Sequence, residues 1–240
     1  TTPPPEIQLT GGKTNESINT IETAQKLIAY SKRAFAKVQD YQATLIKQER
    51  VKGKLLPNQI ISMSVRHKPF SVYMKWNAPS NLKGQEVAYI QGRNKGKMRV
   101  RPVGLLRALG WVSLDPEDSR AKKHTNHSVT EAGLANLLNR FQHSYALQAR
   151  YKKIEVKIGQ YTFNNRKVVR IETIHKAKIL GVQDNYRNVL YLDQETWLPT
   201  RVERYDWPQR GGDSNGVLLE VYNYLNVKTN VNLPASTFNK

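Results

Sequence analysis

The sequence predicts an α+β fold that is mostly β, a twisted antiparallel sheet of about ten strands with helices laid over it. Three observations predict it. Residues 41–101 and 150–228 form two blocks in which apolar and polar residues alternate over long runs joined by short turns. Between them lies a stretch dense in Leu, Gly and His that reads as helical. Residues 20–39 place Ala24, Leu27, Ile28, Ser31, Ala34, Phe35 and Val38 at three- and four-residue steps, the mark of an amphipathic helix capped by Thr20 or by Ser17. A sheet covered in this way makes a concavity, which suits holding something apolar better than catalysis.

The strands follow in order. In Tyr41–Lys52, Tyr41, Ala43 and Leu45 alternate with polar positions. After a turn at Pro57-Asn58, Gln59–His67 sets Ile61, Met63 and Val65 on one face and Ser62, Ser64 and Arg66 on the other. Lys68-Pro69 turns the chain again, and Phe70, Val72, Met74 and Trp76 share a face against Ser71, Tyr73 and Lys75. Two consecutive strands so patterned are antiparallel neighbours with one dry and one wet side. Asn77–Gly84 is a loop, Gln85–Gln91 a strand, Gly92–Gly96 a tight turn and Lys97–Arg101 another strand. Residues 104–111 are short, apolar and bounded by glycines, and Asp115–His127 is a polar loop. Thr130 is placed to cap a second helix, with Val129 stapled onto Leu134; Leu134, Leu137, Leu138 and Phe141 carry its apolar face to about Tyr145. The second block supplies strands around Ile154–Ile158, Lys167–His175, Arg187–Asp193, Thr200–Trp207 and Val217–Lys228, with a hairpin connection over Asp193–Pro199 and a Gly-rich loop over Gln209–Gly216.

Composition narrows the function. The net charge is +19, from 38 Lys and Arg against 19 Asp and Glu. Such an excess attracts polyanions, whether an anionic membrane surface, lipopolysaccharide or nucleic acid. The cations are spread along nearly every strand, with clusters at Arg93–Arg101 and Arg120–Lys123, so they favour a diffuse surface effect over a dedicated groove. The chain has no cysteine, which removes disulfides, thiolate metal sites and cysteine nucleophiles. The opening Thr1-Thr2-Pro3-Pro4-Pro5, and the Thr-, Gly- and Asn-rich run to about residue 19, read as a flexible arm after a removed signal or anchor, hence as an exported protein. Residues 20–240 then form a single domain.

Catalytic chemistry is hard to find. Glu49, Glu86, Glu155, Glu172, Glu203 and Glu220 fall in strands beside Lys or Arg, the pattern of solvated cross-strand pairs. His124-x-x-His127, with Asp115 and Asp118 upstream, has ligand types for zinc, but Lys122 and Lys123 oppose a cation there. No serine sits in a nucleophile elbow and no glycine pattern cradles a phosphate. Arg93, Lys95, Lys97, Arg99 and Arg101 line one face of a hairpin within reach of phosphates, with too few aromatics interleaved to stack bases. Neither a catalytic residue, a metal site, a cofactor nor a nucleic-acid partner is expected. Leu105, Leu106, Leu109 and Trp111 are too many large apolar residues for an exposed loop; they close the sheet's core or form a lid over a cavity.

The segment RHKPFSVYMKW (Arg66–Trp76), the run from Leu190 to Pro208 and the closing run from Leu218 to Phe238 together resemble the LolA/LolB-like superfamily of bacterial periplasmic lipoprotein carriers, in a branch of exported proteins. The resemblance extends from Thr20 to Phe238. It implies an unclosed β-barrel of about eleven strands, with helices covering the open side and an apolar cavity between. It also implies a periplasmic carrier or sensor that binds a lipid or the acyl chain of a lipoprotein. By alternation, the cavity wall is Ile61, Met63, Val65, Phe70, Val72, Met74 and Trp76, covered by Leu105, Leu106, Leu109, Leu134, Leu137 and Leu138. The high charge adds an anionic membrane surface or lipopolysaccharide as a partner. The competing expectation is a filled, ligand-free scaffold whose basic surface binds an anionic envelope polymer.

Overall fold

The computed structural model describes residues 18–151, 154–178 and 185–240. The arm expected over residues 1–19 thus lies outside the described residues, apart from its last two. Among the described residues there are twelve strands: β1 (Asp40–Val51), β2 (Lys54–Leu55), β3 (Gln59–Arg66), β4 (Ser71–Ala78), β5 (Glu86–Ile90), β6 (Met98–Arg101), β7 (Val112–Leu114), β8 (Ile154–Phe163), β9 (Arg166–His175), β10 (Arg187–Asp193), β11 (Pro199–Asp206) and β12 (Val217–Thr229). Hydrogen-bonded neighbours follow the order β7-β6-β5-β4-β3-β1-β12-β11-β10-β9-β8, with β2 beside β1 only. Eleven strands therefore run in one antiparallel path that has two ends and is not closed, as the sequence led us to expect. The three-residue β7 was not foreseen, since Val112–Leu114 is too short to display an alternation.

The chain divides into two compact units, Thr1–Lys37 with Leu134–Val221, and Val38–Gly133 with Tyr222–Lys240. The first holds both long helices. Helix α1 (Ile21–Phe35) starts at Thr20, whose hydroxyl accepts the Thr23 N–H at 3.1 Å. It ends at Ala36, three residues before the expected stop, because Val38 already leads into β1. Its buried stripe is Ile21, Ala24, Leu27, Ile28, Ser31 and Phe35. The Ser31 hydroxyl donates to the Trp197 carbonyl at 2.6 Å, and Tyr30 meets the Trp197 ring edge-on, tying the helix to the β10–β11 hairpin.

Helix α2 (Leu134–Tyr151) corrects the sequence reading at both ends. Thr130 is not its cap: Val129–Glu131 is a separate 3₁₀ turn, headed by Ser128, and Gly133 at φ +94° breaks the chain before the helix begins. The helix also runs past Tyr145, through Ala146, Leu147, Gln148 and Ala149, which are strong helix formers. Leu134, Leu137, Leu138, Phe141, Tyr145 and Gln148 are buried at helical spacing. Lys32 of α1 donates to Gln142 of α2.

In the same unit, β9, β10 and β11 carry a second surprise. Arg170, Glu172, Arg187, Tyr191, Arg201, Glu203 and Tyr205 share one sheet face by register. Glu172 takes Arg170 at 2.8 Å and Arg187 at 2.9 Å; Glu203 takes Arg201 at 2.6 Å and the Tyr205 hydroxyl at 2.6 Å. The Arg187 guanidinium stacks 3.9 Å over the Tyr205 ring. Glu49, Glu172, Glu203 and Glu220 are all buried, so their expected description as solvated pairs is wrong. Arg side chains and Tyr rings lie across the carboxylates and exclude water, which alternation alone does not reveal.

Burial opposes ionisation of both glutamates, but Arg170 and Arg187 beside Glu172, and the Tyr205 hydroxyl with Arg201 beside Glu203, prevail and hold both carboxyls below their ordinary range. Burial alone depresses His175, from 6.5 to about 4. Both kinds of group have folded pKa values below their unfolded ones, so the stability they contribute is present at neutral pH and is lost on acidification. For His175 the loss begins near pH 6.5 and is complete near 4; for the glutamates it begins only near their unfolded value of about 4.3. The unfolding free energy is therefore expected to decline in two stages as pH falls. Burial also depresses His67 and His124, so His175→Asn should shrink the first stage without removing it and leave the second, as read by urea titrations at stepped pH.

Candidate functional site

The second unit contains the candidate site, and strand register builds it. Tyr41, Ala43 and Leu45 of β1 stand opposite Val65, Met63 and Ile61 of β3. Those stand opposite Val72, Met74 and Trp76 of β4, and Met74 and Val72 in turn stand opposite Val87 and Tyr89 of β5. Val87 pairs Val100 on β6, and Val100 pairs Val112 on β7. One row thus crosses six strands without a polar residue: Ala43, Met63, Met74, Val87, Val100, Val112. Side chains opposite one another in antiparallel strands share a face, so these residues form one continuous apolar surface. Tyr41, Ile61, Met63, Val65, Val72, Met74, Trp76, Val87 and Tyr89 are buried, and Phe70 is half-buried. Gly133 lies against its Tyr41–Val65 end: a Cβ there would sit 2.9 Å from the Tyr41 hydroxyl.

A polar border closes the opposite end. The period of two that places Tyr41, Ala43 and Leu45 on this face also places Lys47 and Glu49 there. Glu49, only 1% exposed, accepts Lys47 Nζ at 2.7 Å, the Thr125 hydroxyl at 2.9 Å and the Asn126 N–H at 2.6 Å. Gln59, opposite Lys47, accepts the Trp76 indole N–H at 2.7 Å and donates to the His124 carbonyl at 3.1 Å. Burial works against the Glu49 carboxylate, but the Lys47 ammonium and these hydrogen bonds outweigh it and keep its pKa low. The loop over 121–127 is thereby fastened to the ends of β1 and β3. This arrangement accounts for the histidine pair. His124 is pushed toward the neutral form by burial, then by Lys123 and Lys47, while His127 faces Glu131 at 3.0 Å. Among the described residues no three His, Asp or Glu side chains gather at a metal's reach.

The residues expected to cover the cavity divide. Leu134, Leu137 and Leu138 are buried along one side of α2, in the other unit. Leu105, Leu106 and Leu109 lie in a 3₁₀ segment over Gly104–Leu109 and are 97%, 60% and 64% exposed, the most exposed large apolar side chains described. At that exposure they do not close the core; glycines at positive φ stand at both ends of the segment, and Arg107 within it donates to the Gly84 carbonyl at 3.3 Å. Replacing all three by Ser is accordingly expected to change stability by no more than about 0.5 kcal/mol each, a result that thermal unfolding reads directly.

Sequence reasoning omitted Val87, Tyr89 and the Lys47–Glu49–Gln59 border from the site. The signal for the border was present, since two charges continue an apolar alternation.

Residues 38–240 match, along their length, the family described as proteins of unknown function DUF1571. The chain belongs to the DUF1571 family. No curated protein matches this DUF1571 chain by sequence. Solved structures do match by fold. The Mycobacterium tuberculosis lipoprotein LppX is 14% identical, with a TM-score of 0.51, over 90% of this chain and all (100%) of LppX. An uncharacterized conserved protein from Thermus thermophilus is 10% identical, with a TM-score of 0.51, over 91% and 93% of the two chains. A LolA superfamily protein from Nitrosomonas europaea also matches, at 11% identity, 90% and 97% coverage and a TM-score of 0.37. At such identities what this DUF1571 chain has in common with them is the fold.

Proposed function

We propose that this chain is a carrier or sensor of the bacterial periplasm that holds a lipid, or the acyl chain of a lipoprotein, against the apolar face of its sheet. The observation that carries the reading is the uninterrupted apolar row over six strands, from Ala43 to Val112, on a sheet that does not close. A membrane-derived acyl chain loses about 0.8 kcal/mol per methylene on leaving the bilayer, so some fifteen methylenes need roughly 12 kcal/mol of replacement apolar surface. An extended lined face offers that; isolated surface residues do not. Ile61, Met63, Val65, Phe70, Val72, Met74 and Trp76 form the wall.

The lipoprotein LppX, an exported class of protein by its name, has the same fold, which is in keeping with a place in the cell envelope. No helix among the described residues is long and apolar enough to cross a membrane. The border residues argue for binding rather than catalysis: Lys47 and Glu49 are held by each other and by the 121–127 loop. Native mass spectrometry of the purified protein, followed by organic extraction, tests the proposal. A stoichiometric acyl-bearing adduct is expected; a mass that stays that of the bare chain after incubation with membrane lipids would overturn it.

The net charge of +19 favours a second reading, a scaffold whose basic surface binds an anionic envelope polymer such as lipopolysaccharide. Salt separates the two. Acyl binding is nearly indifferent to ionic strength, whereas polyanion binding weakens steeply as counterions compete.

A further inference from the structure

The alternation that dries one face of β4, β5 and β6 leaves a second feature on the other. There Tyr73, Ala88, Arg99 and Ser113 stand in a row across four strands. The C-terminal residues run over this side, with Phe238 buried beneath the Arg66 guanidinium at 4.9 Å. Between that segment and the β5–β6 hairpin lies an open groove of about 530 Å³, within the size range of small-molecule sites. Ala88, Ile90 and Phe238 supply its apolar part, and Arg93, Lys97 and Arg99 its charge.

Its lining contains no acidic side chain. Among the described residues, Arg93 and Lys97 form no ion pair, unlike Arg101, Arg120, Arg166, Arg170, Arg187, Arg201 and Arg204, each of which has a carboxylate. Arg99 is held by two acceptors: its Nε donates to the main-chain oxygen of Lys240 at 3.2 Å and its Nη1 to the Ser113 hydroxyl at 3.0 Å. Lys240 Nζ, the fourth cation of the lining, turns back over the Tyr73 ring at 5.0 Å. Three cations set around one groove repel one another until an anion enters it. A dianion with several oxygen acceptors answers them better than a single carboxylate, and guanidinium is suited to two-point contact with such a group.

We propose that this groove binds a phosphate monoester, with the phosphate between Arg93, Lys97 and Arg99 and the ester's carbon portion against Ile90 and Phe238. The site is separate from the acyl-binding face, because Ala88 and Ile90 point away from Val87 and Tyr89 on the same strand. It stands whether or not that face carries lipid.

The test is calorimetric titration of the full chain with inorganic phosphate and with glycerol 3-phosphate. Alongside it, sedimentation with phosphatidylcholine vesicles, with and without phosphatidic acid, probes the lipid source. Binding to glycerol 3-phosphate identifies a soluble ligand, and binding confined to the phosphatidic acid vesicles identifies a lipid headgroup. In either arm Arg93→Gln/Lys97→Gln should weaken binding more than about tenfold, the loss of at least one charge-assisted contact. Both side chains are exposed, so the variant should keep the wild-type melting temperature and the same acyl-adduct mass. Equal binding by the variant, or no binding in either arm, would overturn the proposal. Loss of acyl adducts alone would count against the carrier reading and leave the groove untouched.

Discussion

Glu49→Ala is expected to destabilise the protein by about 3–5 kcal/mol, the cost of breaking a buried ion pair by removing one partner. The side chain is almost wholly buried and gathers Lys47, Thr125 and Asn126 onto one carboxylate. Without it the Lys47 ammonium remains in a dry place with its charge unanswered, and the 121–127 loop loses its fastening. The magnitude is a large share of the roughly 5–15 kcal/mol that a typical domain possesses. The double substitution Lys47→Met/Glu49→Leu should recover much of the loss, because apolar residues of similar volume carry no desolvation penalty. Urea unfolding of the single and double variants decides the matter. A single variant within about 1 kcal/mol of wild type would mean that the pair is more hydrated than its burial indicates.

Met74→Asp is expected to abolish retention of an acyl ligand. Met74 is the third residue of the row from Ala43 to Val112, with Met63 and Val87 on either side. A carboxylate there has no hydrogen-bond partner in the row, and its desolvation against an acyl chain costs several kcal/mol, more than a hundredfold in affinity. The readout is the stoichiometry of extracted lipid, with the circular dichroism melt as the control for folding. Should the aspartate variant fail to fold, Met74→Gln makes the same test without a charge and should still lose most of the ligand. A folded Met74→Asp protein that retains wild-type lipid would exclude this face as the binding surface.

Much of this was legible because β3 and β4 alternate so regularly. Ile61, Met63 and Val65 declare a buried face, and the register that sets them against Trp76, Met74 and Val72 follows from the short turn between the strands. Helix α1 was equally plain from its apolar steps and its Thr20 cap. The start of α2 was not: Thr130 has the chemistry of a cap, but Gly133 interrupts the chain three residues later and the helix begins after it. The leucines at 105, 106 and 109 misled for a different reason. Apolar composition alone does not decide which side of a segment packs: here Arg107 meets the Gly84 carbonyl while the leucines face solvent.

Sequence was least informative where one side chain shields another. Arg170, Arg201 and Tyr205 stand two residues from Glu172 or Glu203 on the same strands, a spacing that reads equally well as a solvated pair, and only Arg187 reaches Glu172 from a neighbouring strand. The wet side assigned to β3 and β4 is similarly only half wet. Ser64 and Ser71 are buried there, and Asp40 accepts the Val231 and Leu233 N–H groups at 2.7 Å each, anchoring the closing segment. A lone Phe238 in a polar tail gave no period to read.

An open sheet keeps two rims, and each is a template on which another chain could add a strand. At one rim β7 offers only three residues, too few to nucleate pairing. At the other, β8 offers ten and no described strand lies beyond it. Its guard is electrostatic: Glu155 and Lys157, two residues apart on one face of the strand, pair at 3.1 Å and place opposite charges on that rim. The open sheet therefore carries a liability to self-association, confined largely to β8 and held in check by two side chains.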